Sequence, residues 1–422
     1  MNRLENYDSK DNETAPKSED KPGKGDNHTH FRFAHLADCH LGAFREDFLR
    51  DLNLRAFQSA MDVCIQRKVD FIVISGDLFH RSFPDLGIID SAVRKLREVI
   101  EENIRIYLIY GSHDYNANTT ALIDVLNSAG LFKKVFVVEC GSALGTVVDE
   151  ATGVELAGLS GRTMALERDS YEGITINRKR DGFGIFLFHT AISELRPGYV
   201  PVEQSIPLNL LPEGFDYYAG GHIHEKLEDK GAKVFFPGPV FGADFRDLRN
   251  GKDKGFYMVD VENRSIDVEF FPLSVTDFEL IDLDFSDKDS EEARGFLESN
   301  CSGSFHGATI LLDLHGTLKS GSVADIDVNH ARSMLIKNGA GFVVVNRSVT
   351  SAEKINIRSE GGSREDIESK MFTELFGDGV EAAKAFFSLL SLDFEETGMN
   401  RGDFEIEVMK RGFSFFGLEA RR

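Results

Sequence analysis

Of the twelve histidines in this 422-residue chain, six fall in five short polar motifs, each set directly after an apolar run. The motifs are Asp38-Cys39-His40, Gly76-Asp77-Leu78-Phe79-His80, Gly111-Ser112-His113-Asp114, Phe188-His189 and Gly221-His222-Ile223-His224. Neutral imidazoles and carboxylates are the donors that borderline-hard divalent cations select. Ionisable groups at the ends of successive apolar runs cost stability when they lack partners. Convergence on metal gives all of them one, and metal-dependent hydrolysis is the chemistry that such a set supports.

The runs that precede the motifs read FRFAHLA, DFIVIS, RIYLIY, GIFLF and DYYAG. Short runs rich in β-branched and aromatic residues are the pattern of buried strands. Between the first and second, REDFLRDLNLRAFQSAMDVCIQRK places Phe48, Leu52, Ala56, Ala60 and Val63 near one helical face, and SAVRKLREVIEEN repeats the pattern before the third. Strand–helix–strand repetition implies an α/β layered sheet with its site at the carboxyl ends of the strands. Later strands (VELAGL, GIFLFH, DYYAGG, KVFFPG) come with less helix between them. A mixed β-sandwich flanked by helices therefore fits better than a doubly wound sheet. Beyond residue 275, FELIDLDF, ATILLDLHG and GFVVVNRSV read as strands and VNHARSMLIKNGA as a helix, a small α+β domain reaching to about residue 350.

The ends of the chain have a different texture. Residues 1–30 are polar and charged and cannot bury enough surface to offset ordering entropy, so a disordered tail is expected. SEGGSRED marks a linker, taken as residues 351–363. Ser363 with Asp366 can form a capping box before IESKMFTELFG, and GVEAAKAFFSLLSLDF reads as a second helix. Both helices are apolar enough to pack on a partner or on their own chain.

Bulk properties bound the function. A chain of this length holds two or three domains. The net charge of −22 argues against a whole-surface affinity for nucleic acid or anionic membrane. A polyanion would have to meet local clusters: Lys133-Lys134, Arg178-Lys179-Arg180, or Arg246 with Arg249, Lys252 and Lys254. Cys39, Cys64, Cys140 and Cys301 show no CxxC spacing, which fits a reducing cytoplasm. No signal-peptide pattern and no apolar stretch of spanning length is present, so no membrane role is expected. The absence of a GxxxxGK[ST] loop argues against ATP hydrolysis by this chain.

Singly these motifs are common, but in this order and after these strands they resemble the calcineurin-like metallophosphoesterases. That pattern runs D-x-H, G-D-x-x, G-N-H-[DE], H and G-H-x-H, matched here over roughly residues 31–245. The resemblance implies a binuclear centre. Asp38, His40 and His224 would hold one metal, His189 and His222 the other, and Asp77 would bridge the two. His113 would be no ligand but an acid or electrostatic stabiliser near the leaving oxygen, with Asp114 fixing its tautomer. One position departs from the pattern: Ser112 stands where the family has an asparagine ligand. A hydroxyl is a shorter and poorer donor, so the second site is expected to be weaker or completed by water. Asn116 and Asn118 lie nearby in sequence.

The segments HLADCHLG, SGDLFHRSFP, YGSHDY and GGHIH, followed by FFPGPVFGADFRD and KGFYMVDVE, narrow the likeness. They resemble the DNA double-strand-break repair nucleases of the SbcD and meiotic-recombination type. That resemblance implies a nuclease domain over 31–275, a DNA-binding capping domain over 276–350 and a partner-binding helical segment over 364–422. The implied activity is manganese-dependent 3′→5′ exonuclease on duplex DNA ends and endonuclease on single strands, with two divalent metal ions, Mn2+ foremost. The implied partner is an SMC-like coiled-coil ATPase of the SbcC type. Homodimerisation would use the segment after His40 and TTALIDVLNSAGLF. His80 matches a family-specific histidine that would contact the substrate phosphate or orient the ligands. The rival readings are a phosphatase or cyclic-nucleotide phosphodiesterase on the same scaffold, a non-catalytic scaffold, and a free-standing nuclease without a partner.

Overall fold

The computed structural model of the protein describes residues 30–114, 121–135, 143–161, 168–172, 174–176, 178, 182–250, 253–351, 404 and 408–411. The tail expected over 1–29, nearly all of the linker and C-terminal helices expected beyond 351, and Asn116, Asn118, Cys140, Lys179, Arg180 and Lys252 lie outside the described residues.

Twelve strands build the part that carries the motifs. In chain order they are β1 (His30–Leu36), β2 (Phe71–Ser75), β3 (Arg105–Ile109), β4 (Lys133–Lys134), β5 (Val147–Val148), β6 (Glu155–Leu159), β7 (Gly184–His189), β8 (Tyr217–Gly221), β9 (Leu227–Asp229), β10 (Val234–Phe236), β11 (Gly255–Glu262) and β12 (Ser265–Pro272). They form two six-stranded sheets, ordered β12-β11-β1-β2-β3-β4 and β9-β10-β8-β7-β6-β5. The middle of each is parallel: β1 with β2, β2 with β3, and β8 and β6 with β7. Strand β11 runs antiparallel to β1 and β12. The sandwich expected from the sequence is therefore present.

Register decides where the motifs land. Leu36 pairs with Ile74, Ser75 with Ile109 and Gly221 with His189. The carboxyl ends of neighbouring strands are thus level, and the residues just after them lie side by side. Buried parallel strands need apolar side chains on both faces, which is why the runs are continuous rather than alternating. Phe33, Phe71 and Tyr107 face Leu156, Leu187, Tyr217 and Phe235 between the sheets. Ala34, Leu36, Ile72, Ile74, Ile106 and Leu108 face outward, toward helices α1 (Asp47–Gln66) and α2 (Leu86–Glu101).

The buried stripe of α1 is wider than its sequence pattern shows, comprising Leu49, Leu52, Asn53, Ala56, Phe57, Ala60, Met61 and Cys64. Val63 is half-buried and Phe48 is about a third exposed, stacking its ring on Phe342 at 4.5 Å. Helix α3 (Leu122–Ser128) and the short α4 (Phe245–Arg249) follow in the chain.

The strands and helix expected after residue 275 are present: β13 (Phe278–Asp284), β14 (Thr309–Leu318) and β15 (Phe342–Ser351) form a three-stranded sheet with β14 central. Helix α5 (Ser290–Asn300), which the sequence reading passed over, and α6 (Val328–Lys337) accompany it. The chain divides into two compact units, one drawn from 1–283, 297–314 and 328–347, the other from 284–296, 315–327 and 348–422. Among the described residues no helix is long and apolar enough to cross a membrane.

Candidate metal centre

The turns after β1, β2 and β8 place four motif residues in left-handed backbone: Asp38 (φ 50°), His40 (φ 43°), Asp77 (φ 52°) and His222 (φ 85°). Each such position costs on the order of 1–3 kcal/mol and persists only where its surroundings hold it. The two turns hold each other, since the N–H groups of Asp38, His40 and Leu41 donate to the carbonyls of Gly76, Asp77 and Leu78 at 3.2, 2.9 and 3.0 Å. Glycines make the close approach possible. A Cβ at Gly111 would stand 2.0 Å from Asp77 Oδ1, and one at Gly221 would stand 2.0 Å from the Ser75 carbonyl oxygen.

Three imidazoles share one arrangement. His189 Nδ1 lies 2.8 Å from the Ser75 carbonyl, His224 Nδ1 2.7 Å from Asp247 Oδ2, and His113 Nδ1 2.7 Å from the His80 carbonyl. Each acceptor calls for a proton on Nδ1, which leaves the neutral ring with its Nε2 lone pair free, as in a ligating histidine. His189 Nε2 lies 3.3 Å from Asp77 Oδ2, and His40 Nε2 lies 3.5 Å from the same oxygen and 3.0 Å from His224 Nε2. Asp77 Oδ2 therefore stands between His40 and His189, where a bridging carboxylate would sit. Asp38 holds its orientation by accepting from the His222 N–H at 3.0 and 3.1 Å.

The site is short of positive charge. Burial pushes the Asp38 carboxyl up to about 6, against the opposing pull of His189 and His224. Burial also opposes ionisation of Asp77, yet His189, followed by His40 and His113, holds it below the usual carboxylate range. His189 answers in kind: burial disfavours its charged form, but Asp77 and then Asp38 raise it to about 10. Three imidazole nitrogens of the site, His40 Nδ1, His80 Nδ1 and His189 Nε2, are buried with no hydrogen-bond partner. A proton drawn onto a ligand-like imidazole, beside two buried carboxylates, is what a cation would replace. The residues thus fit divalent metal. Among the described residues, Asp38–His40–His224 and Asp38–Asp77–His189 each bring ligand atoms within 4.8 Å of one another, as do His40–His80–His113.

One expectation needs adjustment. Asp114 does not orient His113; it is buried and accepts from the N–H groups of Leu78, Phe79 and Gly111 at 3.2, 3.2 and 3.1 Å, stitching the second motif to the third. Burial, joined by Asp77, raises its carboxyl to about 7. The tautomer of His113 is fixed by the His80 carbonyl instead, and the His80 ring stacks on it at 4.9 Å. His222 lies with its ring 5.3 Å from that of His189 but belongs to none of the three tight groups. Ser112 Oγ reaches only to 3.5 Å from Asp77 Oδ2.

Among the described residues, most of the basic side chains singled out as phosphate contacts are committed within the fold. Arg178 pairs with Glu155, Lys134 with Asp124, and Arg249 with Asp282 and Asp313. Lys254 is half-buried near the His224 carbonyl. Arg246 sits over the Tyr199 ring at 4.7 Å.

Sequence reasoning missed two supports. Asp247, the partner of His224, lies in FFPGPVFGADFRD, a segment noted for its likeness but not for a role. His35 lies inside the first apolar run. Its ring bridges Tyr217 Oη at 2.9 Å and Ser75 Oγ at 3.1 Å, and Ser75 Oγ donates to the Ala219 carbonyl at 2.9 Å, fastening the two sheets behind the site.

Comparison with known proteins agrees with this geometry. Residues 31–226 match the calcineurin-like phosphoesterase family. The DNA double-strand break repair protein Mre11 of Archaeoglobus fulgidus is 27% identical over 293 residues, 62% of this chain and 62% of that protein. The protein of the same name from Methanococcus maripaludis is 27% identical over 56% of this chain and 67% of its own length. The metallophosphoesterase YhaO of Bacillus subtilis is 28% identical over 57% of this chain and 60% of its own. The match thus spans about three fifths of the first of these relatives. The chain carries a calcineurin-like metallophosphoesterase domain over residues 31–226.

Proposed function

We propose that the chain is a two-metal nuclease acting on DNA ends, with Mn2+ as its working ion. The observation that carries this reading is the position of Asp77 Oδ2 between His40 Nε2 and His189 Nε2, beside the exposed ring of His113. Two divalent cations held by Asp38, His40, Asp77, His189, His222 and His224 would lower the pKa of a bound water and offset charge on the phosphate.

The chain's own groups do the rest. Asp38 and Asp77, both buried, fix the ligand geometry. As an acid His113 would act in its doubly protonated form, delivering the Nε2 proton to the leaving oxygen while its Nδ1–H stays bonded to the His80 carbonyl. His80 stacks on His113 and limits its rotation. The choice of DNA rests on the relatives named as double-strand break repair proteins and on sequence likeness that continues past residue 226. With most of the described residues of the basic clusters committed within the fold, DNA affinity would depend on the metals, on a second copy of the chain and on an SMC-like coiled-coil ATPase. The capping and partner-binding roles of residues 276–350 and 364–422 are part of the same proposal, as is a cytoplasmic location. Exposed Val125 on α3 suits the proposed homodimer contact.

The test is incubation of the full chain with end-labelled linear duplex in Mn2+, Mg2+ or chelator, with the products mapped by end. Shortening from 3′ ends in Mn2+ alone is expected. Turnover of bis(p-nitrophenyl) phosphate without DNA cleavage would favour a phosphatase or phosphodiesterase, and no turnover of either would favour a scaffold.

A further inference from the structure

His224 is oriented from outside the five motifs. Its Nδ1 donates to Asp247 Oδ2 at 2.7 Å, and the same buried oxygen accepts from the Ala243 N–H at 2.8 Å. Asp247 is fixed in turn, because its N–H donates to Asp244 Oδ1 at 2.9 Å where α4 begins. Gly242 (φ +135°) lets this loop close down, since a Cβ there would stand 2.9 Å from Asp247 Cβ. At the far end of α4, the Arg249 guanidinium meets Asp313 Oδ2 at 2.5 Å and Asp282 Oδ2 at 2.6 Å. Asp313 is buried and also accepts from Asn346 Nδ2 at 2.9 Å. Asp282, Asp313 and Asn346 lie on β13, β14 and β15, and all of these residues belong to one compact unit. One short helix therefore joins a ligand-like imidazole to all three strands of a different sheet.

We infer that Asp247 is a positioning residue for His224, and that the Arg249–Asp313 clamp works through it, so that the β13–β15 sheet sets how firmly this imidazole is presented. The inference rests on His224 being a metal ligand. A carboxylate on Nδ1 fixes the tautomer, stops the ring turning and makes Nε2 a stronger donor, and its loss in other sites costs about 10–100-fold in metal affinity. Arg249 makes charge-assisted bonds to a buried carboxylate, so without it Asp313 keeps only Asn346 among these partners and α4 is held to the sheet by the apolar contacts of Phe245 and Leu248 alone.

Calorimetric titration of the full chain with Mn2+ tests this. Asp247→Ala should weaken one of two binding events by about 10–100-fold. Asp247→Asn, which keeps the shape and one acceptor, should lose less and covers the case in which the alanine variant does not fold. Arg249→Gln should weaken the same event in the wild-type background and add nothing once Asp247 is gone. Wild-type affinity in both Asp247 variants, or an Arg249→Gln loss equal with and without Asp247, would overturn the inference while leaving the metal centre intact. A wild-type chain that binds no Mn2+ would overturn both.

Discussion

His189 and Ser75 define the geometry of the centre: the imidazole Nδ1 stands 2.8 Å from the Ser75 carbonyl, which turns Nε2 toward Asp77. Ser75 is the last residue of β2, and its hydroxyl is held by Ala219 and His35. The contact between the sheets and the aim of a metal ligand are therefore one network.

That network predicts a pH dependence of stability. Burial lowers the His35 imidazole from its usual 6.5 to about 3. Between those values the unfolded chain binds a proton that the folded chain refuses. Stability from this residue is thus complete above about pH 6.5 and is lost as pH falls toward 3, at about 1.4 kcal/mol per pH unit. Thermal melts in chelator from pH 7 to 4 should fall more steeply for the wild type than for His35→Gln. Equal slopes would show that His35 is protonated in the fold.

His113 is exposed, and its Nε2 is not needed by either proposed metal. His113→Ala should lower DNA cleavage by about 10²–10⁴-fold, the usual share of a general acid, with both Mn2+ affinities retained. A parallel loss of Mn2+ binding would make it a ligand.

Gly111 has no room for a methyl group, which would stand 2.0 Å from Asp77 Oδ1 and 2.3 Å from Asp77 N. Gly111→Ala should cost about 1–3 kcal/mol in urea unfolding with chelator present, and should displace Asp77 enough to weaken Mn2+ binding. Unchanged Mn2+ affinity would argue that Asp77 is not at the heart of the site.

Ser112 is the imperfect donor. Mn2+ titration should resolve one tighter and one weaker event, and Ser112→Asn should tighten the weaker. Two equally tight sites, both indifferent to Ser112→Ala, would contradict this.

The site was legible in sequence to the extent that it hangs on strand ends. Apolar runs fix strands, parallel register levels their ends, and so Asp38, Asp77, His189 and His224 meet although they are far apart in the chain. What escaped detection is supplied by backbone or by distant elements. The Ser75 and His80 carbonyls have no side-chain signature. Asp247 sits on a five-residue helix whose approach depends on Gly242. Asp114 looked like a partner for its neighbour His113, but a buried carboxylate among three unsatisfied N–H groups binds them first. The buried stripe of α1 is wider than its sequence pattern because a helix packed on a sheet buries more than one line of residues. Basic residues such as Arg178 and Arg249 looked free because their acidic partners lie on other elements.

The central claim is a two-cation centre built on Asp77. The direct measurement is the number of Mn2+ ions retained per chain after equilibrium dialysis, for the wild type and for Asp77→Ala. Two ions per wild-type chain and fewer than one in the variant are predicted; two ions in both, or none in the wild type, would contradict it.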